Sequence, residues 1–158
     1  MTPPVLKDGV TPPAPAAPEA PGRDCPLCPR LADFRGHNRA ANPDWHNAPV
    51  ASFGTLDARL LIVGLAPGLK GANRTGRPFT GDYAGDLLFE TLCETGFAGG
   101  SYAKRADDGL KLTDCRITNA VRCAPPANKP VGAETNACLP FLTAEIAAMT
   151  RLRIILAL

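Results

Sequence analysis

The chain has 158 residues, 45% of them hydrophobic and 20% charged, which is enough to bury the core of one domain. No apolar stretch approaches the ~20 residues that a membrane-spanning helix needs. A net charge of +2 excludes a strongly basic domain, whose field alone would announce a nucleic-acid partner.

The first 22 residues hold seven prolines and no hydrophobic periodicity. That composition predicts a disordered Pro/Ala-rich tail over 1–22, since a signal peptide needs a continuous apolar run. The folded domain is expected over 23–158, in a cytoplasmic protein.

Cys25-Pro-Leu-Cys28 sets two thiols on one turn, and Cys123 and Cys138, fifteen residues apart, are able to complete a four-thiolate site. Six cysteines in a cytoplasmic protein argue against a disulfide framework. Spacing alone leaves metal binding and buried free thiols equally open. Cys93 and Cys115 fit no motif and read as core thiols. His37 and His46 read as solvated or locally bonded.

Leu60 to Val63 is a short apolar run, the first predicted strand. The loop that leaves it carries Gly64, Gly68, Gly71, Gly76 and Gly81, which let backbone approach a ligand closely. Between them stand Ala66, Asn73, Arg74, Thr75, Arg77, Phe79 and Asp82: hydrogen-bond donors, one flat aromatic face and one carboxylate. Such a set fits a nucleotide. Asp82 precedes a predicted helix that starts near Asp82 or Gly85 and buries Leu88, Phe89 and Leu92, so it reads as an N-cap as readily as a catalytic group.

Ile117 to Val121 is the second strand, with Asn119 near its end, where an amide offers both a donor and an acceptor. Asparagine is disfavoured in strands, which points to a specific role; a buried amide bonded to backbone is the alternative. A second helix is predicted over roughly 133–149, with Phe141, Leu142 and Ile146 inward and Pro140 bending or dividing it. The last apolar run, Ile154 to Leu158, reads as a central strand. Because termini usually lie at the surface, the expectation is a truncated chain.

Short apolar strands joined by helical crossovers predict an α/β fold, a three-layer α/β/α sandwich with a central parallel sheet. In such sheets ligands bind beyond the carboxyl ends of the strands. Lys70, Arg74 and Arg77 follow the first strand without an acid from 64 to 81. Arg116, Arg122 and Lys129 likewise stand without an acid from 116 to 133. The two basic loops are expected to converge on one cleft, with Asn73, Arg74, Arg122 and Lys129 as candidate contacts to phosphate.

The string Gly64-Leu-Ala-Pro-Gly68, Gly71-Ala-Asn-Arg-Thr-Gly76 and Pro78-Phe-Thr-Gly-Asp82 closely resembles the first active-site motif of the family 5 uracil-DNA glycosylases, the UDGb type. The resemblance spans Cys25 to Leu158. It implies a monofunctional, monomeric, nucleoid-associated repair enzyme that flips uracil from DNA and hydrolyses its N-glycosidic bond, with other deaminated bases as further substrates. A non-cleaving iron-sulfur module that binds damaged DNA, or an inactive fragment, is the alternative.

By the same resemblance, Phe79 stacks on the base, Asn119 contacts its edge, Asp82 takes part in catalysis, and Gly64, Ala66 and Gly68 line the pocket. Leu65 and Ala66 stand where family 4 carries a glutamate, which implies a looser pocket able to accept deaminated purines such as hypoxanthine. Lys70 stands where family 5 often has a histidine. The four cysteines Cys25, Cys28, Cys123 and Cys138 match those that hold a [4Fe-4S] cluster in families 4 and 5. Similar glycosylases continue, past the point matched by Leu158, with a further helix, strand and His-Pro-Ser type motif.

Overall fold

The computed structural model describes residues 18–158; of the tail expected over 1–22, residues 1–17 lie outside the described residues. In chain order the elements are α1 (Pro29–Ala41), β1 (Leu60–Gly64), the single turn α2 (Ala72–Thr75), α3 (Tyr83–Glu94), the short strands β2 (Ala98–Gly99) and β3 (Lys111–Leu112), β4 (Cys115–Asn119), a 3-10 turn (Pro126–Asn128), α4 (Gly132–Ala148) and β5 (Ile154–Ala157).

The three apolar runs form one parallel sheet in the order β4-β1-β5. Side chains alternate across β1, so Ile62 and Leu61 face opposite ways. Ile62 packs with Ile117, Phe89 and Leu92, which puts α3 on one face. Leu61 packs with Ala58, Met149 and Ile146, which puts the end of α4 on the other. Helices on both faces make the three layers that the strand pattern predicts.

Local chemistry explains where the helices start. Asp82 caps α3, its Oδ1 accepting from the Gly85 N–H at 3.0 Å. Pro29 opens α1, where its missing N–H costs nothing. At the head of α4 the Glu134 carboxylate accepts from the Val131 N–H at 2.9 Å and from Arg30 of α1 at 2.7 Å, tying the two helices together.

The structure departs from the sequence reading at three places. Pro140 does not divide α4, which runs from Gly132 to Ala148 through it; the carbonyl that the proline leaves without a donor belongs to the exposed Asn136, where water replaces the lost bond. The buried residues of that helix are Glu134, Cys138 and Glu145, while Phe141, Leu142 and Ile146 are only half-buried. Strand β5 pairs with β1 along one side only, at the sheet edge, and leaves Ile154, Ile155 and Leu156 exposed.

Glu145 holds the α4 face in place. Its carboxylate receives Arg116 at 2.5 Å and Arg122 at 2.6 Å, and Arg122 also donates to Ser52 at 3.0 Å. Burial alone would raise the Glu145 carboxyl, but Ser52 and the two guanidinium groups outweigh it and hold it below its ordinary value. Glu145→Gln leaves two buried cations facing a neutral amide and is expected to destabilise the fold by about 3–5 kcal/mol, read by urea unfolding.

Candidate active site

The site grows out of the pairing of β1 with β4. Their last residues, Gly64 and Asn119, stand side by side in register. The pairing continues into the loops, with Ala120 N–H donating to Gly64 O at 2.8 Å and Val121 N–H to Leu65 O at 2.9 Å. Farther out, Leu69 N–H donates to the Asn128 side chain at 3.1 Å, so the two loops are laced together beyond the strand ends.

Between them opens a cavity of about 260 Å³, lined by Ala66, Pro67, Gly68, Ala72, Phe79, Asp82, Ala84, Asn119 and Asn128. The aromatic ring, the amide and the carboxylate singled out in the sequence thus share one space. Gly64 sits beneath them. A Cβ there would stand 2.5 Å from Asn119 Oδ1 and 2.7 Å from the Phe79 ring, so only glycine lets both side chains meet at the cavity floor.

Asp82 serves two purposes at once. While Oδ1 caps α3, Oδ2 lies against Gly71, where any side chain would collide with it. The carboxylate therefore faces the glycine loop with one oxygen uncommitted to the helix.

Phe79 holds a left-handed backbone, φ 53°, which costs a non-glycine residue energy and persists only where surroundings enforce it. Arg77 supplies much of that enforcement. It donates from Nε to Thr80 Oγ1 at 2.8 Å and grips Asp108 through both terminal nitrogens at 2.8 and 2.9 Å, among the rings of Phe53, Phe89 and Tyr102. Arg77 and Asp108 side chains are 5% and 0% exposed, so the pair is shielded from solvent. Asp108 also accepts from the Ala103 and Leu110 N–H groups, which pins the loop between β2 and β3 against the Phe79 turn. Burial would raise the Asp108 carboxyl, yet Arg77 and these backbone donors hold it well below the usual carboxylate range.

A second locus lies on the other side of the β4 loop. Cys28 and Cys123 pack with Leu31, Val121 and Ala66. Burial pushes the thiols of Cys28, Cys123 and Cys138 up, Cys123 to about 11, and each also feels the charge of Cys25. Arg35 from α1 donates to Cys123 Sγ at 3.6 Å and to Cys25 O at 3.0 Å. All four cysteines are free, and among the described residues no three His, Cys, Asp or Glu side chains are grouped around a single-ion position.

The sequence matches the uracil DNA glycosylase superfamily over residues 51–158, the span from the segment before β1 to the end of β5. The chain belongs to that superfamily. Similar proteins include a Type-5 uracil-DNA glycosylase from Thermus thermophilus, 44% identical over 85% of this chain and 63% of the relative. Others carrying that name come from Mycobacterium leprae, 47% identical over 77% of this chain and 56% of the relative, and Pyrobaculum aerophilum, 40% identical over 80% and 58%. The chain thus spans somewhat over half the length of these relatives.

Within this uracil-DNA glycosylase fold, two of the four expected phosphate contacts are corrected. Arg122 is 3% exposed and spends its guanidinium on Glu145 and Ser52. Asn73 is likewise buried, donating its amide to Asn47 Oδ1 at 2.9 Å. Both side chains are turned inward, onto partners within the protein, and not presented at the surface. Arg74 and Lys129 are exposed. Cys93 is exposed on α3 and is no core thiol, whereas Cys115 is buried at the start of β4. His37 and His46 bond locally, to Asp33 O at 2.9 Å and Pro49 O at 3.2 Å, outside the cavity.

Asn128 was missed by sequence reasoning. It lines the cavity from a left-handed backbone, φ 56°, beside Ala127 at φ 54°. Its signal was available: asparagine is among the side-chain-bearing residues that best tolerate that conformation, and it ends a Pro-Pro-Ala-Asn turn in the basic loop.

Three variants test this geometry. Gly64→Ala is expected to cost about 1–3 kcal/mol through overpacking and to narrow the cavity, measured by urea unfolding and by uracil binding. Arg77→Met, which leaves Asp108 buried without its cation, is expected to cost about 3–5 kcal/mol. The sign with pH follows from the depressed Asp108 value. Its stabilisation is complete above the unfolded carboxyl's pKa of about 3.9 and is lost as pH falls below it. Asp108→Asn is expected to remove that share of the acid sensitivity, read from unfolding curves between about pH 6 and pH 2.

Proposed function

We propose that this chain recognises uracil extruded from DNA and hydrolyses its N-glycosidic bond, leaving an abasic site. The observation that carries the reading is the single cavity shared by Phe79, Asn119 and Asp82 at the carboxyl end of the parallel sheet. The names of its relatives support the same substrate.

A base must leave the stack before a protein can act on it, and a pocket with one π-face and one amide meets that need. Phe79 stacks on the flipped ring. The Asn119 amide, offering one donor and one acceptor, pairs with the complementary edge of uracil. The backbone of Ala66 to Gly68 forms the facing wall, where no side-chain acid stands, so hypoxanthine and other deaminated bases fit the same space. Arg74 and Lys129 hold the DNA backbone from outside.

In the reaction the C1′–N1 bond breaks and its electron pair leaves with the base. Water adds to C1′ of the cationic sugar and gives up a proton, which ends on the departing base anion, so that the products are neutral uracil and a C1′ hydroxyl. The free Oδ2 of Asp82 stabilises that cation and orients the water, while Oδ1 keeps the carboxylate fixed to α3. Asn128 adds a second amide on the same side, its oxygen committed to the Leu69 N–H and its NH2 free to donate.

We further propose that Cys25, Cys28, Cys123 and Cys138 hold a [4Fe-4S] cluster. What supports this reading is the donor set and its placement: Cys28 packs with Cys123, and Arg35 ties Cys123 to the Cys25 backbone, so the amino-terminal thiol pair lies against the β4 loop. When bound, such a cluster supplies covalent cross-links from the amino-terminal segment to the loop that carries Asn128.

The test is incubation of the chain with a duplex containing a single uracil, followed by alkali. Alkali-labile cleavage at that position is the expected result, reduced about 10²–10³-fold in Asp82→Asn. Binding without cleavage would favour a damage-recognition module instead.

A further inference from the structure

α1 buries Leu31, Arg35 and Asn38, one face of the helix, and the middle member of that face is an arginine only 8% exposed. A buried cation is costly unless an anion or several acceptors compensate it. Among the described residues no carboxylate lies within ion-pair distance of Arg35; the nearby Asp24 is engaged by Arg39 at 2.6 Å. Its two described hydrogen bonds go instead to Cys123 Sγ at 3.6 Å, ordinary for a sulfur acceptor, and to Cys25 O at 3.0 Å.

Those acceptors belong to segments 98 residues apart in sequence, and both are cysteines of the four-thiol locus. A neutral thiol is a weak acceptor and leaves the guanidinium charge unanswered. A metal-bound thiolate answers it, because ligation removes the proton and four thiolates outweigh the charge of an iron-sulfur core.

We propose that Arg35 is the positioning residue of the cysteine centre, its guanidinium bridging the Cys25 backbone and the Cys123 thiolate so that both ligand segments are held in register and the negative charge on the cluster is stabilised. This rests on the proposal that the four cysteines hold a [4Fe-4S] cluster. Two consequences follow from the same contact. Holding the ligands in register slows iron loss, as outer hydrogen bonds do at other metal sites. A positive charge and an N–H donor beside sulfur favour the more reduced, more negative cluster and raise its midpoint potential.

The experiment uses the full chain purified without oxygen, with iron and labile sulfide counted first. Arg35→Met keeps the volume and removes both charge and donors; Arg35→Lys keeps the charge. Iron release to a chelator is expected to be about 10-fold faster in Arg35→Met, with a midpoint potential shifted to more negative values. Arg35→Lys is expected to restore most of the potential and part of the retention. A loaded Arg35→Met with unchanged potential overturns the proposal, even if the protein is less stable, because a purely structural residue would lower stability and leave the potential alone. Should Arg35→Met fail to load, Arg35→Gln decides, with a lowered potential expected and an unchanged one contradicting. Wild-type protein without iron or sulfide would sink the cluster reading and this proposal together, whereas a failed uracil assay on loaded protein would leave both standing.

Discussion

Everything at this site depends on one piece of register: Gly64 of β1 opposite Asn119 of β4. Parallel pairing sends both strands' following loops out of the same edge of the sheet, and the ladder does not stop there but runs on through Ala120 and Val121. A slip of one residue would turn Asn119 to the other face and replace it at the cavity with Thr118 or Ala120. The missing side chain at Gly64 matters for the same reason, since a parallel neighbour brings the Asn119 amide so close that a methyl group has no room.

Buried arginines do the rest of the holding. Arg77, Arg122 and Arg35 are each under 10% exposed, and each joins parts of the chain distant in sequence: the Phe79 turn to the β2–β3 loop, the β4 loop to α4, and α1 to the cysteine loop. A guanidinium suits this work because its planar fork donates in several directions at once. The net charge of +2 gave no hint of it. Of the six basic residues in the two loops, Arg77, Arg116 and Arg122 are structural cations with internal partners, and Lys70, Arg74 and Lys129 are exposed.

That division marks the limit of what the sequence disclosed. Apolar runs located all three sheet strands to within a residue or two, and apolar spacing located α3 together with its buried Phe89 and Leu92. The dual reading of Asp82 as cap and site carboxylate was also available, because capping geometry and loop composition are both local. Direction was not. Nothing in the residues around Arg122 or Asn73 says which way their side chains turn; Glu145 and Asn47, which decide it, lie 23 and 26 residues away. Pro140 escaped for a related reason, since whether a proline breaks a helix depends on what surrounds the turn before it.

The most direct measurement of the central claim is titration of the isotopically labelled chain with free uracil, followed by NMR. Shifts concentrated on the Ala66 and Gly68 amides, the Phe79 ring and the Asn119 side-chain NH2 are the expected result. Shifts that spare Asn119 and Phe79, or that cluster on the exposed face of β5, would contradict it.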